Sequence, residues 1–189
     1  MSSGNIHKRI LDLLATILKM VQEGTRDPSK VAAVLQSIVD EARSGLRRIF
    51  ETETLPVPAT NGTRIFANSG FVIGYIDPGY KPQSGATPPT EAAVYEMTEE
   101  STYAQIFGRV GKDRQRWQNE DQVVAFCSDH RDKLRAGGYG TFFELGGGFV
   151  ADVHVFDDGR LYVYVYRLSY DIVWHAEDRP RVVLPQVTQ

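Results

Sequence analysis

Asp152 and His154 stand two residues apart in the stretch FVADVHVFDDGRLYVYVYRLSYDIVWHAEDR, residues 149–179. On a β-strand that spacing puts both side chains on one face. A carboxylate that orients an imidazole makes a general base, and its chemistry is proton abstraction from a water or a hydroxyl. His175 joins the pair only if the last turn of the chain folds back. No nucleophile has a recognisable setting: Cys127, in FCSDH, falls mid-helix, and no elbow motif surrounds a serine. The bland reading of the same residues is a half-exposed sheet face carrying ordinary polar groups. A small hydrolase or nucleic-acid-processing enzyme using Asp152 and His154, with His175 as a third candidate, is therefore the alternative reading of function.

The first reading comes from the same face. Tyr162, Tyr164 and Tyr166 alternate along the following strand. Aromatic rings offer large contact area, lose little entropy on being fixed and carry a hydroxyl for a polar rim. A non-enzymatic binding or assembly module is expected, with Tyr162, Tyr164, Tyr166, His154 and Asp152 as partner-binding residues. The partner would be another protein or a second copy of the chain. The bland reading is that the chain's own helices cover the tyrosines.

Two other chemistries are weaker. Cys127 and His130 share a helical face at i,i+3, and His154 and His175 are remote in sequence. No Cys-x-x-Cys or His-Glu-x-x-His pattern supports a metal, and a lone cysteine on an apolar stripe is ordinarily a small hydrophobe. No metal and no cofactor are expected. The segment GRVGKDRQRW sets Arg109, Lys112, Arg114 and Arg116 beside Trp117, and the tyrosines offer stacking area for bases. The net charge of −3 and a pI of about 5.8 disfavour nucleic acid, and such charge runs are usually solvated loops.

These residues need elements to hold them. Ile6, Ile10, Leu13, Leu14, Ile17 and Val21 make one helical stripe. Val31, Val34, Leu35, Ile38, Val39 and Ala42 make a second, with Asp27 as N-cap and Pro28 at the first helical position. A helical hairpin over 1–52 is expected, then a Pro-containing linker over 51–63 and an α+β module over 64–189. Within the module, Asn119 should cap a helix running to Ala136, and residues 78–91 should form a long exposed loop. Residues 101–111 read equally as helix or strand. The loop at Asp157-Asp158-Gly159 pairs Val155 with Leu161 and Val153 with Val163, which puts the valines on an apolar face and the tyrosines on the other. The expected fold class is α+β with an antiparallel sheet packed by one helix.

At VYEMTEESTYAQIFG, FCSDHRDKLRAGGYGTFF and DIVWHAEDRPRVVLPQ the chain resembles a group of uncharacterised short bacterial proteins, over about Val94 to Gln186. The resemblance implies that the back half is one module. It carries over no catalytic residue.

Hydrophobic residues make up 42% of the 189 and charged residues 24%, an ordinary globular balance. The single cysteine allows no intrachain disulfide, which fits a reducing compartment. Lys8 and Arg9 precede an apolar run, but Asp12 and Lys19 interrupt it and no small-residue cleavage site follows. A cytoplasmic protein with no membrane association is expected.

Overall fold

The structure is a computed structural model and describes residues 3–49, 55–110 and 115–186. The chain divides into two compact units, residues 1–43 and 44–189. The first holds α1 (Ser3–Gln22) and nearly all of α2 (Pro28–Ser44). Gly24, at φ +71°, ends the first helix, where the Thr25 and Arg26 amides donate to the Met20 carbonyl. Asp27 starts the second by accepting the Ser29 amide at 2.8 Å.

Both helices form, and among the described residues their apolar stripes are only partly covered. Leu11 and Leu18 are 65% and 60% exposed, and Leu13, Val34 and Val39 are exposed as well. Of the expected stripe residues whose burial is described, Ile17, Val21, Val31 and Leu35 are half-buried, and they lie nearest the turn. Periodicity makes a helix amphipathic but does not say what its apolar stripe meets.

The second unit is built on one sheet of eight strands: β1 (Leu46–Arg48), β2 (Leu55–Val57), β3 (Phe71–Ile76), β4 (Thr90–Met97), β5 (Gly140–Leu145), β6 (Phe149–Val155), β7 (Leu161–Arg167) and β8 (Arg181–Gln186). Their order is β1-β4-β8-β5-β6-β7-β3, with β2 also paired to β4. The class is α+β, and the sheet is mixed where an antiparallel one was expected: β5 runs parallel to β8 and β3 parallel to β7. Hairpins are local and show in sequence; parallel pairs need long crossovers, which local pattern does not specify. One signal was present. RVVLPQ is apolar on both faces, the mark of a central strand, and β8 lies between β4 and β5. Pro185 is tolerated because the pairing to β5 ends at Val182.

The linker reading is corrected over residues 55–63; residues 50–54 lie outside the described residues. β1 and β2 both pair with β4, and Thr60 bridges to Thr87 through two backbone hydrogen bonds of 3.0 and 2.9 Å. The unit therefore begins near Ser44 rather than at residue 64. The loop expected over 78–91 ends earlier, at β4, and is less exposed than expected, since Tyr80 and Thr87 are buried.

One helix packs on each face of the sheet. α3 (Tyr103–Arg109) settles the ambiguous segment, with Thr102 and Gln105 closing a capping box. Its Tyr103, Ile106 and Phe107 pack on Phe142, Val150 and Val182. α4 (Glu120–Asp129) covers the other face, where Val123, Phe126 and Cys127 meet Phe143, Ala151, Val153, Val163 and Val183. Val153 pairs with Val163 and Val155 with Leu161, as the loop length predicts. α4 stops seven residues short of Ala136. Beyond it the Lys133 and Leu134 carbonyls accept from the Arg181 guanidinium at 2.6 and 2.9 Å, a tertiary partner in place of further helical turns.

Candidate functional site

The face of the sheet opposite α4 carries the sequence-predicted residues. Asp152 and His154 project from β6, and the cross-strand pairs Asp152–Tyr164 and His154–Tyr162 bring β7's tyrosines beside them. Asp152 is buried beneath Tyr103, whose hydroxyl donates to its Oδ2 at 3.1 Å. His154 Nε2 lies 2.9 Å from Asp152 Oδ1, and His154 Nδ1 lies 2.7 Å from the Gly138 carbonyl oxygen. A carbonyl only accepts, so Nδ1 carries a proton and donates. Nε2 then faces the carboxyl at ion-pair distance, although Asp152 Oδ1 accepts no well-aligned hydrogen bond.

Burial pushes the Asp152 carboxyl above the usual carboxylate range, against the hydrogen bonds from His154 and Tyr103 that pull it down. Burial also pushes His154 down, but the hydrogen bond and charge of Asp152 and the Gly138 carbonyl outweigh it, and the ring ends above its ordinary value. The two shifts agree on one point: the pair holds a proton tightly. A general base needs a free lone pair aimed at substrate. Here the protein occupies both ring nitrogens, and their effect is to pin the Gly137–Gly138 turn to the sheet.

His175 takes a different partner. Its Nδ1 lies 3.0 Å from Glu100 Oε1 on an exposed turn. The four metal candidates separate likewise: Cys127 is in the core, and His130 Nε2 donates to the Pro56 carbonyl at 2.7 Å. Among the described residues no group of three or more His, Cys, Asp and Glu side chains is placed to hold a metal ion. The basic segment is corrected in part. Trp117 is buried, with its indole N–H on the Val183 carbonyl; Arg116 pairs with buried Glu144 and Arg109 with Glu99. Lys112 and Arg114 lie outside the described residues.

Beyond the His154 pair the tyrosines open into a groove of about 640 Å³, lined by Tyr75, Asp77, Tyr164, Tyr166, Arg167, Ser169, Tyr170 and Asp171. Tyr166 is its centre. It stacks on Tyr170 at 4.7 Å and on Tyr75 at 5.2 Å between ring centroids, and Tyr164 lies parallel at 6.3 Å. Tyr75 and Tyr170 are 41% and 40% exposed. Burial raises the Tyr166 hydroxyl above its ordinary value, and the nearby Asp152, Tyr170, Tyr164 and Tyr75 add to the effect.

The sequence reading missed Tyr75 and Tyr170. Tyr75 reaches the groove through a β-bulge. Ile73 pairs with Val163, but Tyr75, not Gly74, pairs with Tyr164. The extra residue moves Tyr75 from the face it would share with the valines to the tyrosine face. Gly74 was the available signal, since an isolated glycine in a strand pattern marks a bulge. A Cβ there would stand 2.2 Å from Tyr164 Cε1.

Comparison with protein-family models, curated proteins and solved structures finds no match to this chain. Among the described residues no helix is long and apolar enough to cross a membrane.

Proposed function

We propose that residues 44–189 form a non-enzymatic binding module whose working surface is the groove around Tyr166. One observation carries this reading: four tyrosine rings converge on an open groove beside a histidine whose two nitrogens are both held by the protein. Rings that remain this exposed after folding are area available to a partner. The exposed leucines and valines of α1 and α2 support an assembly role for these helices, in which the helical pair is completed by another polypeptide.

Tyr170→Ala and His154→Gln test the reading together. Proteins cross-linked to the wild type in its native extract are identified by mass spectrometry, and their yield is compared across the variants. Loss on Tyr170→Ala, with unchanged melting, is expected. The alternative, a hydrolase or nucleic-acid-processing enzyme built on Asp152 and His154, takes over if esterase, phosphodiesterase or nuclease activity is found that His154→Gln abolishes and Tyr170→Ala leaves intact.

A further inference from the structure

Charge and ring geometry in the groove point to a narrower occupant. We propose that the groove receives an arginine side chain from a protein partner, an inference that rests on the binding-module reading above.

The lining holds two carboxylates and one guanidinium. Asp77 is committed: its Oδ2 accepts from Arg167 Nε at 3.1 Å and its Oδ1 from the Gly79 amide at 2.7 Å. Arg167 is committed in turn, since its guanidinium also lies over the Phe149 ring at 5.7 Å. Asp171 has no ion-pair partner among the described residues. The groove thus keeps one unbalanced negative charge among four phenol rings, whose faces are themselves electronegative. Such a lining repels phosphate and attracts a cation.

Ring orientation favours a flat cation over a round one. The Tyr164 and Tyr166 planes differ by 1°, and Tyr166 and Tyr170 by 7°. A guanidinium is planar and weakly hydrated, and it stacks on aromatic faces while its five N–H groups reach outward to carboxylate and phenol oxygens. A lysine ammonium is a compact, strongly hydrated point charge and gains less from parallel rings. A neutral proline-rich segment would use the rings but leave Asp171 without a complement. Delivery by a polypeptide is favoured by position. The groove borders β3, one of the two end strands of the sheet order, beside which a partner segment can lie.

The test titrates full-length protein with N-acetyl-arginine amide while following tyrosine ring resonances by NMR. The neutral isostere N-acetyl-citrulline amide, N-acetyl-lysine amide and a neutral proline-rich peptide serve as comparators. Expected is a saturable shift of the Tyr164, Tyr166 and Tyr170 rings, with a dissociation constant on the order of 1 mM, as befits a fragment. Citrulline amide should bind about threefold to fivefold more weakly, and Asp171→Asn should remove that preference. Equal binding of citrulline or the proline-rich peptide would sink the arginine inference while leaving the groove a binding surface. Ring resonances that respond to no probe would also end it; the cross-linking comparison with Tyr170→Ala then decides the binding module separately.

Discussion

Gly140 lies opposite His154 in the β5–β6 register, and the space above its Cα is taken by Asp152. A Cβ at this position would stand 2.6 Å from Asp152 Oδ1 and 2.4 Å from Phe142 Cε1. The glycine is thus the reason a carboxyl can sit buried between Tyr103 and His154. Gly140→Ala should destabilise the protein by about 1–3 kcal/mol, the range for overpacking in a tight core. Gly146→Ala is the control, because its nearest neighbour would be the Gln83 side chain at 3.7 Å. Urea melts of the two variants would separate them, and equal losses would mean that the carboxyl does not need this space.

The raised values of the Asp152–His154 pair set the expected sign of a pH-dependent stability. Both groups are raised in the folded state, so folding takes up protons at each. The His154 contribution is complete below its unfolded value of about 6.5 and is lost as pH rises through the higher folded value. The Asp152 contribution has the same sign and starts to fall from about 3.9. Stability should decline from pH 6 upward, and His154→Gln should flatten that slope. His175, raised by exposed Glu100, tilts the background in the same direction, so the quantity to read is the difference between wild type and variant. Parallel profiles for the two proteins would refute the coupling of His154 to Asp152.

Val153 and Val163 are cross-strand partners, and both are fully buried under α4. Val→Ala at either should cost about 1–3 kcal/mol through lost burial and the cavity left behind. Thermal or urea melts suffice, and a loss below a few tenths of a kilocalorie would contradict the packing.

This hairpin was legible in the sequence because its determinants are local: a three-residue loop ending in Gly159 and strict alternation on either side. Helix caps at Asp27 and Asn119 were legible for the same reason. Sheet order was not. β8 enters between β4 and β5 after most of the chain has been made, and β1 and β2 sit in a stretch whose prolines read as linker. Nor was the job of Glu120 and Asp121 visible. They are acidic residues at a helix start, yet Glu120 accepts the Phe66 amide at 2.6 Å and Asp121 the Thr63 amide at 3.1 Å, tying a distant segment to α4. At the candidate site, the face was readable from alternation, but the closure of both His154 nitrogens was not. The Gly138 carbonyl reaches the ring through a turn at Gly137 and Gly138, both with positive φ.

Where the chain divides has a direct test. A variant starting at Ser44 keeps β1 and β2 and should melt close to the full-length protein. One starting at Arg64 loses both strands from β4 and should melt markedly lower. Sedimentation of the same variants reads the role of α1 and α2. If their exposed leucines mediate assembly, the full chain should sediment as a larger species than the Ser44 variant. Identical mass states would show that the helices do not assemble the protein.

The bulge at Gly74 offers the sharpest separation of groove from fold. Tyr75 faces the groove because Gly74 is bulged out of the β3 register, and the Tyr164 ring lies against the Gly74 backbone. Gly74→Ala would put a methyl into that ring, 2.2 Å from Cε1 and 2.5 Å from Cζ. The ring sits on a half-exposed side chain, so it can swing aside, and the expected loss of stability is modest, about 1 kcal/mol. The expected loss of groove geometry is large, visible as displaced Tyr75, Tyr164 and Tyr166 ring resonances. Deleting Gly74 acts differently. It restores even alternation: Tyr75 then follows Ile73 directly, stays opposite Tyr164 on the tyrosine face and loses only the bend that the bulge gives the strand. The deletion should therefore keep Tyr75 in the groove, with its ring resonance closer to wild type than in Gly74→Ala. A deletion variant whose Tyr75 ring leaves the groove would show that the pairing of Tyr75 with Tyr164 does not set its place.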